Sequence, residues 1–355
     1  MRIALIGDGD SPHLLKWARA LAAEPGIELW AASSRGFMAG FDAAVPPSRR
    51  LALDTEPDAA GGNVALLRRL PALARWLRRV DADWLHAHYL SSHGTLAWLA
   101  RRLWRLRARL AGSAWGSDIL LTPLQSTVMR VLTSRVLVAC DVTTSDSEHM
   151  AGRMRMLGAR EVMVFPFGLE AMPPEPGSKE PALFFTNRGL EPIYAPQRVL
   201  TLFAGLDWPE ARLVIANDGS LRETLIEQTA AKGLGDRVRF VGRLPAEEQA
   251  QWYARAQWFL SLPTSDSTSV SVLEAMAHGC IPLLSELPAN RELVGGGDRG
   301  LIVGDGATLR RADLQPLLDR ALSIAAANRQ WVQSNALFAP AVRRFVERLR
   351  QPPSA

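Results

Sequence analysis

Short apolar runs alternate along the chain with stretches in which apolar residues recur every three or four positions. In the first half, the runs at 2–6, 27–32, 84–88, 110–114, 137–144 and 162–165 read as strands. Helical spacing covers 12–23, 64–80, 93–107, 124–133 and 147–157. The second half repeats the alternation. Its strands are at 182–186, 212–216, 238–241, 258–262, 281–284 and 301–303, and its helices at 197–203, 221–232, 247–256, 269–278 and 314–328. Strands and helices in that order predict an α/β protein whose parallel sheets carry helices on both faces. Between the halves, 172–181 is the most proline-rich segment and reads as an interdomain linker. The expected organisation is a Rossmann-like domain over 1–171, the linker at 172–181, a second Rossmann-like domain over 182–335 and a final segment, 336–355. Its helix, 340–350, carries Val342, Phe345, Val346 and Leu349 on one face. Two doubly wound domains joined this way are expected to face a central cleft between the carboxyl ends of their sheets.

Composition narrows the class. With 355 residues, 48% apolar and 22% charged, the chain suits a globular protein of two ordinary domains. No apolar run approaches the ~18–20 residues that span a bilayer. The start, with Asp8 and Asp10 soon after a short apolar run, does not resemble a secretory signal, so a cytoplasmic location is expected. Cys140 and Cys280 sit in apolar surroundings and read as buried thiols, neither a disulfide framework nor a metal site. Charge is uneven. Residues 1–171 hold 21 Lys+Arg against 16 Asp+Glu, whereas the remainder holds 20 of each. Most of the excess lies at 68–79 and 101–109, where arginines interleave with leucines and tryptophans. Such helices either lie on an anionic membrane surface, peripheral to its inner face, or present an ordinary solvated face. Lysine occurs only at Lys16, Lys179 and Lys232, so arginine is the chain's default cation. No nucleic acid is expected as a partner, since no stacking motif or recognised module appears.

The chemistry concentrates at 265–282, SDSTSVSVLEAMAHGCIP. A hydroxyl-rich loop leaves an apolar strand and enters a helix. Thr268, Ser269, Val270 and Ser271 would offer backbone N–H groups at the helix N-terminus, where unpaired amides and the helix dipole both favour an anion. Glu274, further into the helix, suits vicinal hydroxyls, and Asp266 in the loop suits a sugar. Together they fit a nucleotide-sugar. Ser271-x-x-Glu274 also fits a capping box, in which Glu274 would only secure the helix start.

The run Leu273 to Pro282, followed by Pro288-Ala289-Asn290-Arg291-Glu292, resembles the donor-site signature of family-four glycosyltransferases, which are retaining, metal-independent enzymes of the GT-B fold. Their usual pattern is Glu-x7-Glu. Here the first position is Asp266, and the chain is similar to a branch reading SDGTSVSLLEAMA. The stretch 184–194 resembles a variant, R-x-L-E-P-x-Y, of the family's strand-end motif. The resemblance implies that Arg188 binds the leaving diphosphate, a task suited to a permanently charged fork. The usual lysine is replaced by Ile193 or Tyr194, and Tyr194 could donate one neutral hydrogen bond. Gly242 could line the base pocket or simply make a turn. In GT-B proteins a last helix crosses back to the N-terminal domain, as 340–350 would.

On the N-terminal side, Gly7 to His13 is a strand–turn–helix junction similar to an acceptor-side loop of the same branch, with Gly9, Ser11 and His13 as candidate contacts. His86 and His88 share one strand face, and His88 is nearer the ligand-binding end. A metal is not expected, because no third ligand has suitable spacing. Ala114-Trp115-Gly116-Ser117-Asp118 matches the family's H-G-S-D except at Trp115, which cannot shuttle a proton. Asp118 either binds a hydroxyl or holds the loop.

The expectation is a retaining, metal-independent hexosyltransferase moving sugar from a nucleoside-diphosphate sugar to a glycan or lipid-linked acceptor in surface polysaccharide or glycolipid synthesis. UDP or GDP is the expected nucleotide, as co-substrate and not cofactor. The expected catalytic set is Asp266, Glu274, Arg188, His88 and Asp118. The donor-binding set is Arg188, Thr268, Ser269, Val270, Ser271, Glu274 and Gly242, and the acceptor-side set is Gly9, Ser11, His13 and Trp115. The alternatives are a catalytically inactive GT-B subunit, a nucleotide-sugar-binding protein, or a nucleotide-sugar epimerase. A pyridoxal phosphorylase is disfavoured by the three lysines.

Overall fold

The computed structural model describes residues 1–55 and 64–352. The parts of the expected first domain and final segment that fall on 56–63 and 353–355 lie outside the described residues. The chain divides into two units, Met1–Pro166 with Phe338–Ala355, and Phe167–Leu337.

The first unit holds β1 (Arg2–Gly7), β2 (Glu28–Ser33), β3 (Arg50–Ala52), β4 (Trp84–His88), β5 (Arg109–Ser113), β6 (Val142–Ser145) and β7 (Val162–Val164). They form one parallel sheet in the order β3-β2-β1-β4-β5-β6-β7. The second unit holds β8 (Glu180–Thr186), β9 (Arg212–Ala216), β10 (Val238–Gly242), β11 (Ala256–Ser261), β12 (Ile281–Ser285) and β13 (Leu301–Val303). Its order is β10-β9-β8-β11-β12-β13, again parallel. Both sheets are Rossmann-like and doubly wound, the class the alternation predicts. Strand order reverses between β1 and β4 and between β8 and β11. Open α/β sheets bind ligands beside the carboxyl ends of strands at such a reversal.

Each unit has its own core. In the first, Trp17 of helix Pro12–Ala22 meets Phe338 and Phe345 of helix Phe338–Arg350 edge-on, with centroids 5.0 and 5.4 Å away. The same helix accepts a hydrogen bond from Trp84 Nε1 at Leu349 O (3.2 Å) and pairs Arg348 with both oxygens of Glu161 (2.5 and 2.7 Å). In the second, Phe184 stacks on Trp258 (5.7 Å) within a cluster completed by Phe203 and Trp208. Strand β11 is buried at every position, as a central parallel strand covered on both faces must be.

Several expected elements differ. Residues 137–139 are not strand but the last turn of helix Thr127–Ala139. Ser126 caps that helix by accepting from Met129 N (3.2 Å), and Thr133, Val136 and Leu137 bury one face at helical spacing. An apolar run of this length fits either element by pattern alone. The helix expected over 64–80 is two, Val64–Arg68 and Leu70–Val80, broken before Pro71, which has no N–H to continue the first. The short β3 and helix Pro288–Val294 carry too few apolar positions to read as elements. The proline-rich 172–181 lies within the second unit and is no linker there. Arg329 donates to Pro173 O and Pro174 O (3.2 Å each) and pairs with Glu175 (3.0 Å). The chain passes between units at Pro166/Phe167 and Leu337/Phe338. Cys140 and Cys280 are buried and free, and burial pushes the Cys140 thiol up to about 12.

Candidate functional site

In the second unit, the ends of β8 and β11 bring the expected donor residues together. Arg188 lies two residues past β8, and Asp266 lies in the loop after β11. One terminal nitrogen of Arg188 donates to Asp266 Oδ2 (2.6 Å); the other donates to the hydroxyls of Ser269 and Ser271, the latter at 3.1 Å. The guanidinium carbon lies over the ring of Tyr194, with Cζ 4.4 Å from the ring centroid. Tyr194 therefore offers Arg188 its ring, where the sequence suggested a hydroxyl donor. Arg188 Nε is buried with no hydrogen-bond partner.

Helix Val270–Ala277 starts beside this group. Ser269 is its N-cap by backbone geometry, yet its hydroxyl makes no capping bond and serves Arg188 and Ser271 instead. The N–H groups of Val270 and Ser271 in the first turn have no intrahelical acceptor. A guanidinium thus rests against the positive end of a helix, with one carboxylate, Asp266, to offset both. Such an arrangement favours a further anion. Burial raises the pKa of Asp266, and Arg188 opposes the shift.

The helix register rules out the capping-box reading of Glu274. With Ser269 as N-cap, Glu274 is too deep for a capping box. Its Oε2 instead accepts from Tyr253 OH (3.0 Å), and Tyr253 OH accepts from Asn187 Nδ2 (2.8 Å). Asn187 also donates to Gln249 (2.6 Å). Burial, with Glu274 alongside, raises the pKa of Tyr253 well above its ordinary value, so the hydroxyl stays a donor. Sequence reading missed Tyr253, Asn187 and Gln249. One signal was available: the chain has three tyrosines, and a buried one needs a partner for its hydroxyl. Thr268 and Ser269 are buried in the same loop. Gly242 ends β10 at φ +70°, in open space, and its carbonyl accepts from Asn217 N (2.6 Å). It reaches the group only indirectly, through Asn217 Nδ2 on Asn187 O (3.1 Å).

In the first unit, the carboxyl ends of β1, β4 and β5 gather a second group. Exposed His13 packs on Trp115 with centroids 4.9 Å apart. Trp115 Nε1 donates to His88 Nδ1 (3.1 Å), which fixes both the indole and the His88 tautomer. Two expected catalytic residues lie beneath the surface. His88 is 3% exposed and contacts Trp17, His86 and Trp115. Asp118 is 0% exposed, and its two oxygens accept from Leu90 N (2.8 Å) and Trp115 N (2.9 Å). Of its two readings, Asp118 takes the one that holds the loop. Burial lifts it to about 6 and holds His86 near 3, His93 near 4 and His88 well below its ordinary value. Ser11 caps helix Pro12–Ala22, accepting from His13 N (3.3 Å). Gly9 is close-packed by its own chain, since a Cβ there would meet Gly36 O at 2.5 Å. Tyr89, past β4, holds a left-handed φ of +64° with its hydroxyl 3.3 Å from Ser117 Oγ. Among the described residues no group of three or more His, Cys, Asp or Glu is placed to hold a metal.

Comparison with known proteins fits this geometry. The chain is 31% identical over 114 residues, 32% of each chain, to the lipopolysaccharide core biosynthesis mannosyltransferase LpcC of Rhizobium leguminosarum bv. viciae. The matched part thus spans about a third of that relative. It is 23% identical over 266 residues to the N-acetyl-alpha-D-glucosaminyl L-malate synthase of Bacillus anthracis, covering 70% of this chain and 69% of that one. The crystal structure of Anabaena HepE with UDP and glucose superposes with a TM-score of 0.80 over 99% of this chain and 100% of that one, at 15% identity. That likeness shows the fold, which is GT-B. Residues 2–147 match the family described as Glycosyl transferase 4-like, and residues 170–335 match Glycosyl transferases group 1. The chain is therefore built from a glycosyl transferase 4-like domain followed by a domain of the glycosyl transferases group 1.

Proposed function

We propose that the chain is a retaining, metal-independent glycosyltransferase that takes a sugar from a nucleoside-diphosphate sugar, of UDP or GDP type, to a glycan or lipid-linked acceptor. One observation carries the reading: Arg188 lies against the N-terminus of helix Val270–Ala277 with Asp266 as its carboxylate partner and Glu274 in the helix behind. Arg188 and the first-turn amides stabilise the charge that develops on the leaving diphosphate. That positive set does the work a divalent ion would otherwise do. Glu274, held by Tyr253, accepts from the ribose hydroxyls. Asp266 accepts from the donor sugar once diphosphate engages Arg188. The leaving phosphate takes the acceptor's proton on the face it departs from, so the anomeric configuration is kept and no separate base is required. His13 and Trp115 provide acceptor-side or sugar contacts, and His88 and Asp118 hold Trp115 in place.

The Rhizobium relative, a lipopolysaccharide core mannosyltransferase, supports surface-glycan or glycolipid synthesis, and the UDP-bound HepE structure supports a nucleoside-diphosphate donor. An acceptor on a lipid carrier is favoured by the first unit's surface. Arg102, Arg105 and Arg107 are exposed around Leu103, and Leu124, Val128 and Val131 are exposed on helices Thr122–Gln125 and Thr127–Ala139. We infer peripheral contact with an anionic membrane from this pairing of cations and apolar side chains.

The test is thermal unfolding of the wild type and Glu274→Ala with UDP, GDP, ADP and CMP, each with and without magnesium. One diphosphate at ~100 times its dissociation constant adds about 2.7 kcal/mol to wild-type stability without metal, and the variant loses most of this gain. Stabilisation by none of the nucleotides, or only with magnesium, would sink the corresponding part of the reading. The anomeric configuration of the product from the identified donor checks retention.

A further inference from the structure

The geometry points to Tyr194 as a positioning residue whose ring lies against the Arg188 guanidinium, keeping it in place while its terminal nitrogens exchange Asp266 for the diphosphate of a nucleotide. The inference rests on the donor-site reading above.

The terminal nitrogens and the guanidinium carbon of Arg188 have separate partners. Asp266, Ser269 and Ser271 occupy the terminal nitrogens, and Tyr194 lies 4.4 Å beneath the guanidinium carbon. An arriving diphosphate competes with Asp266, because both are anions seeking the same charge-assisted bonds. A guanidinium held by its edge alone would keep only the two serine hydroxyls through that exchange and could swing on a flexible stem. The attraction of the ring acts through the face and leaves every N–H available. The ring itself is firmly placed. Tyr194 closes the short turn Pro192–Tyr194, and Thr264 N and Oγ1 both donate to Ile193 O (3.0 and 3.1 Å), tying that turn to the loop of Asp266. Ala195, directly after it, has a left-handed φ of +44°, which alanine adopts only under constraint. Gly189 lets the ring close on the backbone beside Arg188, since a Cβ there would meet Tyr194 Cε2 and Cδ2 at 3.1 and 3.2 Å.

The experiment measures affinity by calorimetric titration for UDP, GDP and ADP, and for UMP, GMP and AMP, on the full chain. Variants are Tyr194→Phe, Tyr194→Leu, Arg188→Ala and the Leu–Ala double variant. Tyr194→Phe keeps the ring and stays within about twofold of wild type. Tyr194→Leu weakens the preferred diphosphate about tenfold while its monophosphate changes less than about twofold. In the Arg188→Ala background, Tyr194→Leu adds no further loss, the mark of coupled residues. Equal losses for diphosphate and monophosphate, additive losses in the cycle, or Phe behaving like Leu would each overturn the inference. Thermal unfolding of the free variants reports folding, and Tyr194→Met replaces Leu in the same cycle if Leu unfolds the chain. No diphosphate binding by wild type overturns the donor-site reading and this inference together; wild-type binding without an Arg188-linked loss overturns this inference alone.

Discussion

His86, His88 and His93 are enclosed in the first unit and kept neutral by burial, whereas Asp118 beside them is raised to about 6 by the same cause. The two kinds of group pull stability in opposite directions. Between the ordinary histidine value of 6.5 and folded values of about 3 to 4, the unfolded chain takes protons that the folded chain refuses, so acid destabilises. Asp118 takes its proton more readily when folded; its contribution is full below 3.8 and is lost as pH rises through about 6. Three histidines outweigh one carboxylate, so the first unit should lose stability as pH falls from about 6.5 to 4. In Asp118→Asn the opposing contribution is gone, and the fall should be steeper. Denaturant titrations at steps across this range check it, and parallel curves for the two proteins would refute the Asp118 part. At this scale the sequence was legible where chemistry is local and ambiguous where it depends on register. Arg188, Asp266 and Glu274 could be named from their order in the chain. The part played by Glu274 turned on whether the helix begins at Ser269 or Ser271, which propensity does not fix to one residue.

Among the elements, helix Phe338–Arg350 shows most directly what a sequence face can say. Its apolar positions at helical spacing name the side that buries, and Val342, Phe345, Val346 and Leu349 are all buried. They do not name what covers them; Trp17, Trp84 and Glu161 come from distant parts of the chain. Phe345 is fully buried against Trp17 and His86, so Phe345→Ala should cost about 3–5 kcal/mol of first-unit stability. Denaturant unfolding followed by tryptophan emission would measure this, and a loss below about 1 kcal/mol would mean that the helix is dispensable to that core. The run 137–140 shows the converse. Val and Leu in a short stretch suit a strand and a buried helix turn equally, and the cap at Ser126, eleven positions upstream, decides between them. Likewise Tyr253 lies on helix Ala246–Arg255, whose polar first turn gives little hint that its far end supports Glu274.

For the molecule as a whole, the alternation of strand and helix sufficed for two doubly wound sheets, because that order admits few other architectures. The boundary was less legible. Prolines at 172–181 signal an interruption in regular structure, but contacts with distant residues, Arg329 donating to Pro173 O and Pro174 O and Lys179 donating to Tyr253 O, show that the segment is strapped to the second unit. Net charge is likewise a property of the whole surface. The proposed membrane contact predicts that the chain sediments with phosphatidylglycerol vesicles and not with pure phosphatidylcholine, that salt weakens the association, and that Val128→Ser with Val131→Ser weakens it further. Equal sedimentation with both vesicles, or with neither, would remove the membrane from the proposal. No helix among the described residues is long and apolar enough to cross a bilayer. The division of the chain also has a temporal meaning. The first unit draws one wall, helix Phe338–Arg350, from chain that follows the whole of the second unit. A ribosome adding ~5–20 residues per second spends on the order of ten seconds or more on the intervening segment. Of the two units, the one whose synthesis begins first is therefore completed only after the other has been made. Through that interval its half-built core, with Trp17 uncovered, waits for that helix.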